Sequence, residues 1–248
     1  QHPSDLPLSC PEHAMDRDER QRGGETEALA ILDAFLTSRG EGYSRGISSP
    51  SSSWSSCSRL SPFLAFGHLS VRTVSQRIAE KQRALRAEKQ AKKLMRTDND
   101  WLRSLSAFHS RIRWRAHFMQ KLESEPAIEF HAQCRAYDTL RCGEGDWNHA
   151  HYKAWAEGRT GFPMVDACMR CLIRHGWLNF RMRAMLVSFA CWNLWLDWRG
   201  IASALARVFL DYEPGIHYSQ LQMQAGATGI NAMRVYSVTK QGRDHDKD

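Results

Sequence analysis

The sequence predicts an all-α, multi-helical fold. Apolar residues recur at helical spacing through most of the chain. Gly and Pro fall at the ends of these stretches, where helices start and stop. No two segments alternate apolar and polar residues as pairing strands would; the one alternating run, Met233 to Val238, has no partner.

The elements follow in order. Residues 1–24 carry Pro3, Pro7, Pro11 and Gly23-Gly24 without periodicity and read as an irregular linker, leaving 25–248 as the helical domain. Glu25 to Ser38 forms a short amphipathic helix with Leu29, Leu32, Phe35 and Leu36 on one face. Residues 40–61 are serine-rich, and Gly40, Gly42, Gly46 and Pro50 forbid a long element there. Ser61-Pro62 opens a short helix to Phe66, and Gly67 breaks it. A long basic helix runs from about Ser70 to Met95, with Val71, Val74, Ile78 and Leu85 on its apolar face and a solvated face of Arg and Lys. Asp98 or Asn99 caps the next helix, to about Glu123. Residues 124–157 hold short helical pieces. Gly158 to Gly161 make a tight turn into a buried helix over 163–175, with Pro163 in its first turn and Gly176 as its stop. Helices over 177–197, 199–210 and 214–225 complete the domain.

Composition narrows the class. The 248 residues, 42% of them hydrophobic, can build one large core or two small ones. No apolar run approaches the roughly 18 residues of a membrane span, and the polar, Pro-containing N-terminus shows no secretory signal. Lys and Arg exceed Asp and Glu by 34 − 27 = 7, a balance that suits an anionic partner such as nucleic acid or a phosphate-bearing cofactor. Seven cysteines without regular spacing suggest reduced thiols and a cytoplasmic setting. Cys168-x-x-Cys171 lies on a helix and reads as a pair of buried thiols, so no metal site is expected.

Four groups of residues carry chemistry. Cys57-Ser58-Arg59-Leu60-Ser61-Pro62 supplies hydroxyls, a guanidinium and free backbone N–H groups just before a helix, a natural phosphate cradle. Phe108, Arg111, Trp114 and Arg115 fall on one face at helical spacing. The stretch 180–197 is apolar almost all round, so Arg183 within it requires a carboxylate; Asp211, with Glu213 two residues on, is the best candidate. His217 is a titratable group close by.

In this order, and with Gly158 to Ala167, Gly176-Trp177, Arg181-x-Arg183, Leu196-Asp197-Trp198-Arg199 and Asp211-x-Glu213 at these spacings, the chain strongly resembles the flavin-binding helical domain of the cryptochrome/photolyase family, from roughly Tyr43 to the C-terminal end. The resemblance implies FAD held by Tyr43, Cys57 (where the family usually has Thr), Ser58, Leu60, Ser61, Phe108, Arg111, Arg115, Phe180, Arg183, Asp211, Glu213 and His217, the last facing flavin N5. It implies that Trp114, Arg111 and Met223 face damaged DNA. Trp198 takes the middle place of the family's tryptophan triad, Trp147 lies near its surface link, and Trp177, Trp192 and Trp195 offer detours. With the resemblance starting near Tyr43, the family's N-terminal α/β antenna domain is expected to have no counterpart in this sequence.

What the resemblance further implies is a monomer in which light drives an electron from reduced FAD to a pyrimidine dimer in DNA. The chain departs from the family's repair pattern at three places: Arg111 stands for Glu, and Leu221 and Met223 stand for Trp. The alternative implied is a cryptochrome-like blue-light receptor that binds FAD without repairing DNA and signals through a partner.

Overall fold

The computed structural model describes residues 19–91, 100–230 and 235–246. Its helices are α1 (Glu25–Thr37), α2 (Tyr43–Gly46), α3 (Ser52–Ser56), α4 (Ser61–Ala65), α5 (Val71–Ala91), α6 (Asp100–Ser124), α7 (His149–Ala156), α8 (Pro163–His175), α9 (Phe180–Ser188), α10 (Trp198–Val208), α11 (Pro214–Ala225) and α12 (Val238–His245). Short 3-10 turns occupy Arg39–Gly42, Pro126–Glu129 and Arg135–Tyr137, and there is no strand among the described residues. Most of the expected linker 1–24, the end of the basic helix near Met95 and the cap at Asp98 or Asn99 lie outside the described residues.

Two apolar cores organise the bundle. One gathers Trp155, Met169, Leu172, Met182, Met185, Phe189 and Trp198 from α7 to α10 and the segments between them. The other gathers Leu32, Phe35, Phe63, Ile78, Leu105 and Phe108 from α1, α4, α5 and α6, together with Trp177. The solvated face of α5 pairs Arg77 with Asp33 and lays Lys81 over Trp101, 5.0 Å from the ring centroid. Helix α11 packs along α6 and also touches α9 and α10, so it bridges the two halves. Gly215 allows that approach. A Cβ there would lie 2.7 Å from the Phe118 carbonyl and 2.8 Å from Met119 Cα, both backbone atoms that cannot swing aside.

Two expectations need correction. The stretch 177–197 is not one helix. Trp177 to Asn179 are non-helical, and Asn179 Nδ2 donates to the carbonyls of Ile47 and Ser49, which fixes the entry to α9. After Ser188 the helix widens into a π turn over Phe189–Asn193, where Leu194 N–H reaches back to the Phe189 carbonyl. Trp192 Nε1 donates to the Gln224 carbonyl at 2.9 Å, tying that turn to α11. Phe180 is 49% exposed, because α9 starts at the molecular surface and buries only from Met182 onward. Val238, at the end of the unpartnered alternating run, opens α12, and Ser237 caps that helix by accepting from Lys240 N–H.

Gly176 ends α8 in the left-handed region at φ 69°, with Leu210 Cβ only 2.8 Å from where a side chain would begin. Gly176→Ala should destabilise the fold by about 1–3 kcal/mol. Chemical denaturation of the two proteins checks this.

Candidate cofactor site at the seam of the two cores

Arg183 and Asp211 anchor the site. Arg183 stands in the first turn of α9, and Asp211 follows α10 in the connection to α11. Nη1 and Nη2 of Arg183 donate to Oδ1 and Oδ2 of Asp211, both at 2.8 Å, and Nε donates to the Leu178 carbonyl at 2.6 Å. The fork-on-fork geometry is the strongest form of this pair. Asp211 is 4% exposed and Arg183 23%, so the carboxylate is wholly internal while the guanidinium keeps one open side. Phe209 lies under Arg183, 4.4 Å from ring centroid to Cζ.

The serine loop lies against this pair. Cys57 is buried, and burial pushes its thiol up to about 12 although Arg59, Arg39 and Arg183 pull the other way. Its carbonyl accepts from Arg39 Nη1 at 2.7 Å, and the Ser58 carbonyl accepts from Arg39 Nη2 at 3.3 Å. Ser58 Oγ accepts from Leu60 N–H at 3.4 Å. Leu60 is buried and Ser61 opens α4. Arg59 takes the left-handed conformation at φ 60°. Its guanidinium sits between Trp54 and Trp177, 4.2 Å from each centroid. Burial lowers the Arg59 guanidinium to about 10, still charged at neutral pH, and Asp211 is the leading influence in the other direction.

Helix α6 forms the facing wall. Phe108 is buried against Phe35 and Tyr43, with centroids 4.8 and 5.6 Å away. Tyr43 is buried too; burial raises its phenol well above the ordinary value, while the nearby positive charge of Arg111 opposes the rise. Arg115 Nη2 donates to Glu213 Oε2 at 2.9 Å and to the Leu64 carbonyl at 3.0 Å, joining α6, α4 and the connection before α11. Phe108 therefore turns into the core, whereas Arg111 is exposed and Trp114 is 47% exposed. The expected common face is split between interior and surface.

Helix α11 supplies the remaining residues. His217 is buried, and its Nε2–H donates to the Ala202 carbonyl at 3.0 Å. Burial lowers its imidazole to about 4. Arg183 favours that direction, and Asp211 and the hydrogen bond oppose it. The rings of Phe209, Tyr212 and Tyr218 surround it. Leu221 is buried and Met223 half-buried. Trp198 is buried in the first core with Arg199 stacked on it, and Trp147 is half-buried against Gly200 and Tyr152.

The structure thus joins Arg183 to Asp211, Arg115 to Glu213, and Tyr43 to Phe108 and Arg111. Phe180 faces solvent. Sequence reasoning does not select Arg39, Trp54 or Gln21, and takes Arg59 only as part of the loop. These residues converge from separate turns, and no periodicity marks them.

The residues fit a dinucleotide. Arg39 and Arg59 contact no carboxylate among the described residues, and Arg59 Nε and Arg115 Nε are buried without a hydrogen-bond partner. A ligand bringing negative charge and acceptor oxygens satisfies both deficits. No cluster of three or more His, Cys, Asp or Glu among the described residues is arranged to hold a metal. Burial pushes the Cys168 thiol up to about 12.

Two outcomes follow from the geometry. Asp211→Ala should cost about 3 kcal/mol, because it strands a partly buried guanidinium, while Asp211→Asn should cost less; urea titrations compare them. The buried, neutral His217 has a lower pKa folded, about 4, than the ordinary histidine value of about 6.5. The unfolded chain therefore binds the extra proton, and stability should fall as pH drops from about 6.5 towards 4. Between pH 7.5 and 5 the loss assigned to His217 is about 2 kcal/mol, and His217→Gln should remove that part of the slope in denaturation curves at the two pH values.

Comparison with known proteins gives the lineage. Residues 108–248 match the family described as the FAD binding domain of DNA photolyase. The deoxyribodipyrimidine photo-lyase of Escherichia coli (strain K12) is 32% identical over 193 residues, 76% of this chain and 37% of that protein. The enzyme of the same name from Agrobacterium fabrum is 29% identical over 96% of this chain and 46% of its own length. A bacterial class III photolyase from Agrobacterium tumefaciens superposes with a TM-score of 0.79 at 28% identity, covering 96% of this chain and 46% of that one. The chain spans about half the length of the curated relatives it matches. With its helical architecture and more than half of its residues matched, the chain belongs to the family of the FAD-binding domain of DNA photolyases, whose cofactor is FAD.

Proposed function

We propose that the chain holds FAD at the seam of the two cores and acts in a light-driven DNA photolyase, splitting pyrimidine dimers. The observation that carries this reading is the Arg183–Asp211 fork beside two guanidiniums, Arg39 and Arg59, that contact no carboxylate among the described residues. Bound FAD supplies light absorption and one-electron transfer. The chain's own groups do the rest. Asp211 fixes Arg183, whose open side would present a constant positive charge to a bound flavin. Cys57 remains a thiol at neutral pH. His217 presents a neutral imidazole whose Nε2–H is committed to Ala202, leaving Nδ1 as an acceptor. Exposed Arg111 and Trp114 on α6, with half-buried Met223 on α11, supply a cation, a stacking surface and an apolar contact for a nucleotide turned out of the duplex. The basic balance of the chain favours the phosphates.

A second reading is a blue-light receptor that binds FAD and signals to a protein partner. It is favoured by Arg111, which cannot accept a hydrogen bond from a pyrimidine N–H, and by the non-aromatic Leu221 and Met223. Cryptochrome-2 of Gallus gallus is 30% identical over 76% of this chain and 30% of that protein.

The purified chain mixed with FAD should turn yellow and quench flavin fluorescence, and Arg183→Met should weaken FAD binding about tenfold or more. Under blue light, FAD-loaded protein should restore UV-irradiated oligonucleotide. Binding without restoration supports the second reading, and a chain that takes up no FAD ends both.

A further inference from the structure

We propose that Arg59 is a positioning residue that sets the Cys57–Ser61 turn for cofactor binding, and that Gln21 latches it, so that the strap 19–24 tunes the affinity of the site. The proposal rests on reading the seam as the FAD site.

Arg59 adopts φ 60°, a region that suits Gly and, less well, Asn or Asp, but not a long side chain. Such a conformation persists only where its surroundings over-determine it. Here they do so at both ends of the residue. Gln21 Nε2 donates to the Arg59 carbonyl at 2.8 Å, and Arg59 Nη2 donates back to Gln21 Oε1 at 3.2 Å. The guanidinium is held between Trp54 and Trp177, one from α3 and one from the connection before α9.

The strap is itself pinned. Glu19 accepts from Arg174 Nη2 at 2.7 Å and from Nε at 3.0 Å. Arg20 Nη2 donates to the Ile173 carbonyl at 3.2 Å, and Gly24 N–H donates to His68 Nδ1 at 3.3 Å. One end of the strap thus rests on the C-terminal turn of α8, the other on the turn after α4.

The twist at Arg59 has a local result. Cys57 is extended at ψ 155°, and Leu60 is already near-helical at φ −90° and ψ −10°. The left-handed residue between them reverses the chain and brings Ser58 Oγ to Leu60 N–H. Ser58 and Ser61 owe their positions to it. Arg59 also places a charge beside Asp211, with its own Nε buried and unpartnered.

The test uses the full chain and FAD as probe, reading dissociation constant by flavin fluorescence and folding by thermal melting. Arg59→Gly tolerates the left-handed turn but removes the guanidinium; Gln21→Ala removes only the latch. Weakening of about tenfold in Arg59→Gly and about threefold in Gln21→Ala, with both proteins folded at the assay temperature, is the expected result. Both variants binding within about twofold of wild type overturns the proposal, as does a lowered melting temperature with unchanged affinity, the mark of a merely structural arginine. If the wild-type chain binds no FAD, the seam reading fails, and the indole N–H resonances of Trp54 and Trp177 in the free protein still judge the latch. They should shift in Gln21→Ala, and unshifted resonances overturn it.

Discussion

The fork between Arg183 and Asp211 is the constraint on which the interior depends. Asp211 sits almost wholly out of water in the connection after α10, and a carboxylate there survives only with a matched cation. Satisfying it requires α9 to start where it does, because the same arginine reaches the Leu178 carbonyl through Nε. That start is fixed in turn by Asn179, whose amide holds the carbonyls of Ile47 and Ser49. One ion pair therefore couples the end of α10, the entry to α9 and the serine-rich segment.

Charge around this pair is unbalanced by design of the fold. Arg115 is matched by Glu213, but Arg39 spends its donors on main-chain carbonyls and Arg59 on two indole faces and an amide. Neutral acceptors stabilise a guanidinium less than a carboxylate does. The resulting positive field lies on the side of the seam formed by the Cys57–Ser61 turn. His217, kept neutral by burial, adds no charge to that field above pH of about 4.

Much of the helical framework is legible in the sequence. Helices α8 and α11 run as expected because each has a proline in its first turn and a left-handed glycine at its end, Gly176 and Gly226. The Arg183–Asp211 pairing is legible because burial leaves a charge few choices. The π turn after Ser188 is not, since it arises from Trp192 reaching Gln224 across to α11, a tertiary contact with no local signature. Nor is the outward turn of Phe180, which depends on where α9 meets the surface. Arg39, Gln21 and Trp54 escape for the same reason: each acts through a partner far away along the chain. Arg111, by contrast, is visible as a substitution, but its link to Tyr43 emerges only when the loop folds against α6.

Gly215 carries a consequence of its own. Helix α11 bears His217, Leu221 and Met223, and α6 bears Arg111, Trp114 and Arg115, so the spacing of the two helices sets how far apart these residues stand. That spacing is set by a hydrogen atom where other residues have a methyl group. Any larger residue at 215 would press on the α6 backbone at Phe118 and Met119 and force the two helices apart.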